Sequence, residues 1–213
     1  MIHTRFALRV AALAALFLSA TAAFAADPKP TGDKTGLIPR TVFFGNPDVR
    51  SPQISPDGKR LAWLAPFEGV LNIWVAPTDD IAGAKVVTHD KTRPIPGFSW
   101  AYTSDHLLYT QDHDGDEDFH VYCVDLKSDA VMDLTPLQKI RAELIERSPK
   151  FPKELVVGIN DRDPRFHDLY RVDLTTGERK LLEKNLDFAG FEVDDEFNVR
   201  FAEKYAADGG MQV

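Results

Sequence analysis

The sequence holds one cysteine, Cys123, so no disulfide can close within the chain. Small secreted scaffolds that rely on a disulfide framework are thereby excluded. Positive charge is also scarce: 25 Lys and Arg stand against 33 Asp and Glu, a formal net charge of −8. That balance makes nucleic acid and anionic membrane surfaces poor partners. Long apolar runs are missing except for one near the start, so no second membrane-crossing segment is expected.

That single run, Val10–Phe24, follows Met1–Arg9, which carries Arg5 and Arg9 and no acid, and it ends at Ala23-Phe24-Ala25. A basic start, an apolar centre and a small-x-small end make a secretory signal peptide over residues 1–25. The apolar centre is shorter than the ~20 residues a membrane anchor needs. Cleavage after Ala25 removes Arg5 and Arg9 and leaves a chain of net charge −10. The expected location is therefore the periplasm or the medium, with no membrane contact after cleavage. Cys123 is expected to act there as a small hydrophobe in a strand. Residues 26–50 form a linker or arm, rich first in Pro, Gly and charge, then bringing Leu37, Ile38, Val42, Phe43 and Phe44, an apolar cluster expected to pack.

A repeat dominates the rest. "NIWVAP" (Asn72–Pro77), "HVYCVD" (His120–Asp125) and "DLYRVD" (Asp168–Asp173) line up, with Trp74, Tyr122 and Tyr170 in steps of 48. Val86, Leu134 and Leu182 keep the same step. Each copy has a preceding apolar strand, Arg60–Ala65, His106–Gln111 or Glu154–Ile159, and a shorter segment ahead of that, Pro52–Ser55, Gly97–Ala101 or Ala142–Glu146. Turn residues separate them, among them Pro56-Asp57-Gly58, Asp114-Gly115-Asp116 and Thr176-Gly177-Glu178. Leu137–Arg147 also fits a helical face; the repeat register favours a strand there.

Four short strands per repeat of this length is the pattern of a β-propeller blade, whose faces are buried only by neighbouring blades. The expected fold is all-β: a partial propeller of about three four-stranded blades (51–90, 96–136, 141–184) plus the start of a fourth (186–213). Trp74, Tyr122 and Tyr170 are expected at equivalent core positions between blades. The fourth copy supplies two strands in Phe188–Tyr205, and the strand of the Trp/Tyr kind is expected after Val213. On that reading Phe188, Phe191, Phe197 and Phe201 are left uncovered.

"ISPDGKRLAW" (Ile54–Trp63) resembles the turn signature of TolB-like propellers. Together with "LIPRTVFFGNP", "DHDGDEDFHVYCVDL", "DLTP" and "NDRDPRFHDLYRVDLTTG", it resembles the amino-terminal propeller of secreted serine peptidases of the prolyl oligopeptidase family, in the acylaminoacyl-peptidase and dipeptidyl-aminopeptidase-like branch. The resemblance covers nearly all of Leu37–Gly210. It implies a propeller that gates and frames peptide access to an α/β-hydrolase domain carrying the Ser, Asp and His of the reaction, a domain this chain lacks. The serine elbow Gly-x-Ser-x-Gly is absent. Gly97-Phe98-Ser99-Trp100-Ala101 differs at its last position and falls on an inner strand, so Ser99 is rejected as a nucleophile and no catalytic residue is assigned. No cofactor is implied. A non-enzymatic TolB-like protein-binding propeller is the alternative. Whether the substrate is dipeptidyl, acylaminoacyl or oligopeptide is not legible.

The acidic run "QDHDGDEDFHVY" (Gln111–Tyr122) is expected to be a hairpin loop in the second blade. An EF-hand loop needs Gly at its sixth position and Glu at its twelfth. Counted from Asp112 these are Glu117 and Cys123, and from Asp114 they are Phe119 and Asp125, so both registers fail. His113 and His120 flank the loop without a Cys or a close second His, which argues against zinc. Two readings stay open: a charged turn that keeps the hairpin soluble, or an acidic patch in which Asp116 and Glu117 meet the ammonium of a peptide amino terminus, as glutamates do in some relatives of that family.

Overall fold

The computed structural model describes residues 37–213. The expected signal peptide and residues 26–36 of the arm lie outside the described residues. The chain divides into two units, one up to Gly45 and one from Asn46 to Val213. In the first, Arg40–Phe44 forms the short helix α1. Leu37, Ile38, Val42, Phe43 and Phe44 are exposed.

The second unit is a run of four antiparallel sheets, each a meander. The first holds β1 (Arg50–Ile54), β2 (Arg60–Phe67), β3 (Val70–Pro77) and β4 (Lys85–Val86). The second holds β5 (Phe98–Trp100), β6 (His106–Gln111), β7 (His120–Asp125) and β8 (Ala130–Asp133). The third holds β9 (Ala142–Arg147), β10 (Glu154–Asp163), β11 (Phe166–Asp173) and β12 (Arg179–Glu183). The fourth holds β13 (Gly190–Val193), β14 (Val199–Tyr205) and the two-residue β15 (Met211–Gln212). This is a partial β-propeller of three four-stranded blades and a three-stranded beginning of a fourth. Ala142–Arg147 is a strand, as the repeat register required. The fourth sheet has one strand more than Phe188–Tyr205 alone supplies, because Ala206–Gly209 turns the chain back to pair Met211 with Tyr205.

Each turn from first to second strand closes with the same main-chain bond: Gly58 N to Ser55 O, Ser104 N to Ala101 O, Phe151 N to Ser148 O and Phe197 N to Asp194 O. Gly58 there has φ 73°, a left-handed conformation that suits glycine; Ser104 and Phe197 adopt it as non-glycine residues, at 61° and 62°. The strands between these turns alternate their faces, so each sheet offers one apolar side to each neighbour. Ala62, Leu64, Ile73 and Val75 pack against Phe98, Trp100, Leu107 and Val124 of the next sheet. Leu108, Val121 and Cys123 pack against Leu155, Val157, Ile159 and Val172. Val156 and Leu169 meet Phe197, Phe191 and Val199. Main-chain oxygens join neighbouring blades as well: Trp100 Nε1 donates to Gln53 O at 3.2 Å, and Arg147 donates to Trp100 O.

Three expectations about the core change. Trp74, Tyr122 and Tyr170 are equivalent by pairing, opposite Trp63, Tyr109 and Val157, but all three are half-buried rather than enclosed. The fully buried positions are their neighbours Ile73, Val121 and Leu169. Tyr122 stacks on Tyr109 with centroids 5.0 Å apart, and Tyr170 donates its hydroxyl to Asp161 at 3.1 Å, so each ring keeps a wet edge. The apolar step after them is also displaced: Val87, not Val86, is the counterpart of Leu134, since Val87 N bonds Ile73 O as Leu134 N bonds Val121 O. Finally, Phe197 is 2% exposed, against the third sheet, while Phe201 is 59% exposed.

Candidate functional site

The candidate residues lie on loops at one end of the sheets. These loops are the β2–β3 turn, the β6–β7 loop (112–119) and the β10–β11 turn, with the crossings between sheets at 87–97, 134–141 and 184–189. The acidic run lies where it was placed, between His106–Gln111 and His120–Asp125.

Its architecture begins at Asp112, just past the buried end of β6. Asp112 is 6% exposed. Arg93, on the crossing from the first sheet, donates Nη2 to both carboxylate oxygens at 3.0 Å and Nε at 3.2 Å. Arg93 is itself held: Asp90 accepts its main-chain N–H at 2.7 Å, and its carbonyl accepts from Gln111 at 2.8 Å. Asp90 N in turn donates to Asn72, which is fully buried in β3. A chain of hydrogen bonds thus runs from the core of the first blade to the loop of the second. Burial works against ionisation of Asp112, but the Arg93 and Glu117 N–H bonds outweigh it and hold the carboxyl below its usual range.

Beyond Asp112 the loop is a tight turn. Asp114, Gly115 and Glu117 all have positive φ, at 52°, 88° and 63°. Asp116 accepts from His113 N and Asp118 N at 3.1 Å each, so its carboxylate caps the turn. Thr92 donates to Asp114 at 3.2 Å. Glu117 N donates to Asp112 at 3.4 Å, which fixes its left-handed backbone. The Glu117 side chain is exposed and makes no hydrogen bond or ion pair among the described residues. The two candidate residues therefore differ: Asp116 is bound up in the turn, and Glu117 presents an unpaired carboxylate from a fixed backbone.

The neighbouring β10–β11 hairpin satisfies its own charges. Arg162 donates to both oxygens of the buried Asp168, at 2.7 and 2.8 Å, and to Asn185 O. Arg165 and Asp163 form a bidentate pair that brings the Asp163 carboxyl to about 2. His120 bonds Asp133 across β7 and β8 at 2.7 Å, a strand-edge role, and His113 lies 3.4 Å from Asp114. No group of three or more His, Cys, Asp and Glu side chains able to hold a metal occurs among the described residues.

Neither Ser99 nor Cys123 is placed for nucleophilic chemistry. Ser99 lies in β5, paired with Leu108, on a strand rather than a sharp elbow. Burial, with Asp125 nearby, pushes the Cys123 thiol up to about 12, far from a reactive thiolate. The Arg93–Asp112 clamp escaped the reading of the sequence. Arg93 lies outside the acidic run, and nothing in its neighbourhood of sequence marks it; the one available signal was an aspartate directly after a buried strand end.

No family model matches the chain. The chain is 45% identical to dipeptidyl aminopeptidase BIII of Pseudoxanthomonas mexicana over a 216-residue alignment covering all of this chain and 31% of that protein. It is 30% identical to dipeptidyl peptidase family member 6 of Caenorhabditis elegans over 186 residues, 82% of this chain and 24% of that one. The chain thus spans a third or less of the length of these curated relatives. A solved prolyl endopeptidase structure superposes with TM-score 0.51 at 14% identity, over 68% of this chain and 23% of that one, which shows a shared fold.

Proposed function

We propose, from the premise that this chain is homologous along its whole length to part of a dipeptidyl aminopeptidase, that it is the propeller portion of an exported serine peptidase of the prolyl oligopeptidase family. Its role is to gate and frame the access of peptide substrates to a carboxy-terminal α/β-hydrolase domain. The observation that carries this is the end-to-end match at 45% identity to a peptidase of which it covers 31%. The four meander sheets support it, as does the lack of a serine elbow, which leaves nucleophile, base and oxyanion hole to be supplied from elsewhere.

Glu117, with Asp116 beside it, is the proposed contact for the peptide amino terminus. An ammonium is a compact cation that gains most from a carboxylate not already paired, and Glu117 is such a carboxylate. Asp116 contributes through shape, by holding the turn. The bland alternative, a solvated turn, is separated by one assay. In the product of the whole coding region, Glu117→Gln should raise KM for peptides with a free amino terminus and leave amino-terminally acylated peptides unaffected. Equal loss on both substrates, or no change on either, would remove Glu117 from the site. Binding without catalysis, as in TolB-like propellers, is the outcome if that product cleaves no peptide at all.

A further inference from the structure

Adjacent blades leave a groove along their outer strands at the first two junctions, and the third sheet carries a hollow at the same level that is lined by its own residues alone. Each opens at the start of the second strand, opposite the end of the third. The facing pairs are Arg60 and Pro77, His106 and Asp125, and Glu154 and Asp173. One step inward lie Val75, Cys123 and Arg171. The three copies handle charge differently. In the third sheet Arg171 is ion-paired to Glu154 of its own sheet and lies 4.4 Å over the ring of Phe151. At the second junction, His106 faces Asp125 across the strands. At the first, Arg60 faces a proline, so no carboxylate of its own sheet answers it.

Two further lysines line that first groove, Lys85 from β4 and Lys127 from the β7–β8 turn. Against them stand Asp129 on the lining and Asp105, which is shared by Arg60 at 3.0 Å and Lys127 at 2.6 Å. Lys85 makes no hydrogen bond or ion pair among the described residues. The floor is apolar, formed by Val75, Val87 and Leu126. The first groove is also the roomiest, about 350 Å³. The cause is local: seven residues, 78–84, join β3 to β4, against four and five at the next two blades, and they include a 3₁₀ turn at Ile81–Gly83.

We propose that this groove between the first two blades is a binding site for a small organic carboxylate with an apolar body. The carboxylate would lie between Lys85 and Lys127, and the apolar part on Val87 and Leu126. The inference is independent of the peptidase reading, since it uses no residue of the 112–119 loop.

The test is equilibrium dialysis of the chain with labelled hexanoate at neutral pH, with inorganic phosphate and hexylamine as competitors. One saturable site per chain is expected, with a dissociation constant on the order of 1 mM. Replacing both lysines (Lys85→Gln with Lys127→Gln) should weaken it about tenfold, a loss of about 1.4 kcal/mol. Replacing two exposed lysines elsewhere (Lys150→Gln with Lys204→Gln) should not. Phosphate should compete poorly, because it cannot use the apolar floor, and hexylamine should not compete. No saturable binding, an equal loss in both double variants, or equal competition by hexylamine would overturn the proposal. All four side chains are exposed, Lys127 and Lys150 on turns, Lys85 on an edge strand and Lys204 on β14, so the variants keep the fold.

Discussion

Arg93→Ala is the most informative single change to the fold. It leaves the Asp112 carboxylate, 6% exposed, without the three bonds that Arg93 donates. Removing one partner of a fully buried pair costs about 3–5 kcal/mol. The Arg93 side chain is 45% exposed, so water takes over part of its role. The scale for hydrogen bonds to charged groups, about 1.5–3 kcal/mol, is then the better guide, and about 2 kcal/mol is expected. With a urea slope of about 2 kcal/mol per molar, that moves the unfolding midpoint down by about 1 M. The change should also speed hydrogen exchange at Glu117 N, whose acceptor is Asp112. A double cycle with Asp112→Ala isolates the pair and should return a coupling above about 1 kcal/mol. A midpoint shift equivalent to less than about 0.5 kcal/mol, the range of an ordinary surface site, would show that the loop is not clamped to the first blade.

Further outcomes follow from the same structure. Tyr122→Ala should destabilise by about 2 kcal/mol in urea melts, below the 3–5 of an enclosed aromatic, because its ring is half-buried; a cost of about 5 would mean that the ring is enclosed after all. Asp57, Asp105, Asp112, Asp125, Asp168 and Asp173 are all held below their ordinary carboxyl values. A depressed folded-state value stabilises above the unfolded value, about 3.9, and that contribution is lost as pH falls through the folded one, so stability should be level above about pH 5 and fall steeply below about pH 4. A melt that is flat down to pH 2 would contradict this. The isolated chain should not be labelled by a fluorophosphonate probe, and stoichiometric labelling would refute the assignment of catalysis to another domain. Phe201, Tyr205 and Met211, exposed at 59%, 70% and 51%, should make the chain self-associate and bind a hydrophobic dye in sedimentation runs, whereas a dye-free monomer would count against an open last blade.

The repeat was legible because a blade imposes one spacing on positions that face its neighbours. The step of 48 at Trp74, Tyr122 and Tyr170 located the third strand of each blade, and the acidic loop followed from it. Burial was less legible. A large aromatic at a repeated position reads as core, yet in a strand the adjacent residue faces the other way, and here Ile73, Val121 and Leu169 are the enclosed ones. The slip from Val86 to Val87 has a similar origin: spacing was carried across loops of unequal length, and the seven residues between β3 and β4 absorb the difference. Phe197 was expected to be uncovered because the fourth blade is incomplete, whereas it packs back on Val156 and Leu169 of the third sheet, which is present, its φ of 62° turning it into that core. In the candidate site, the type of residue and its loop were visible in sequence. What separated Glu117 from Asp116 was not, since it depends on which carboxylate the turn itself consumes.

On the function proposed above, the chain is a peptidase propeller and the chemistry resides in a domain that follows it. Reading the coding region past Val213 tests it most directly. The remaining blades are expected, and then an α/β-hydrolase domain with a Gly-x-Ser-x-Gly elbow and later Asp and His residues. A stop codon after a completed propeller, with no such elbow, would contradict it and leave a binding propeller in its place.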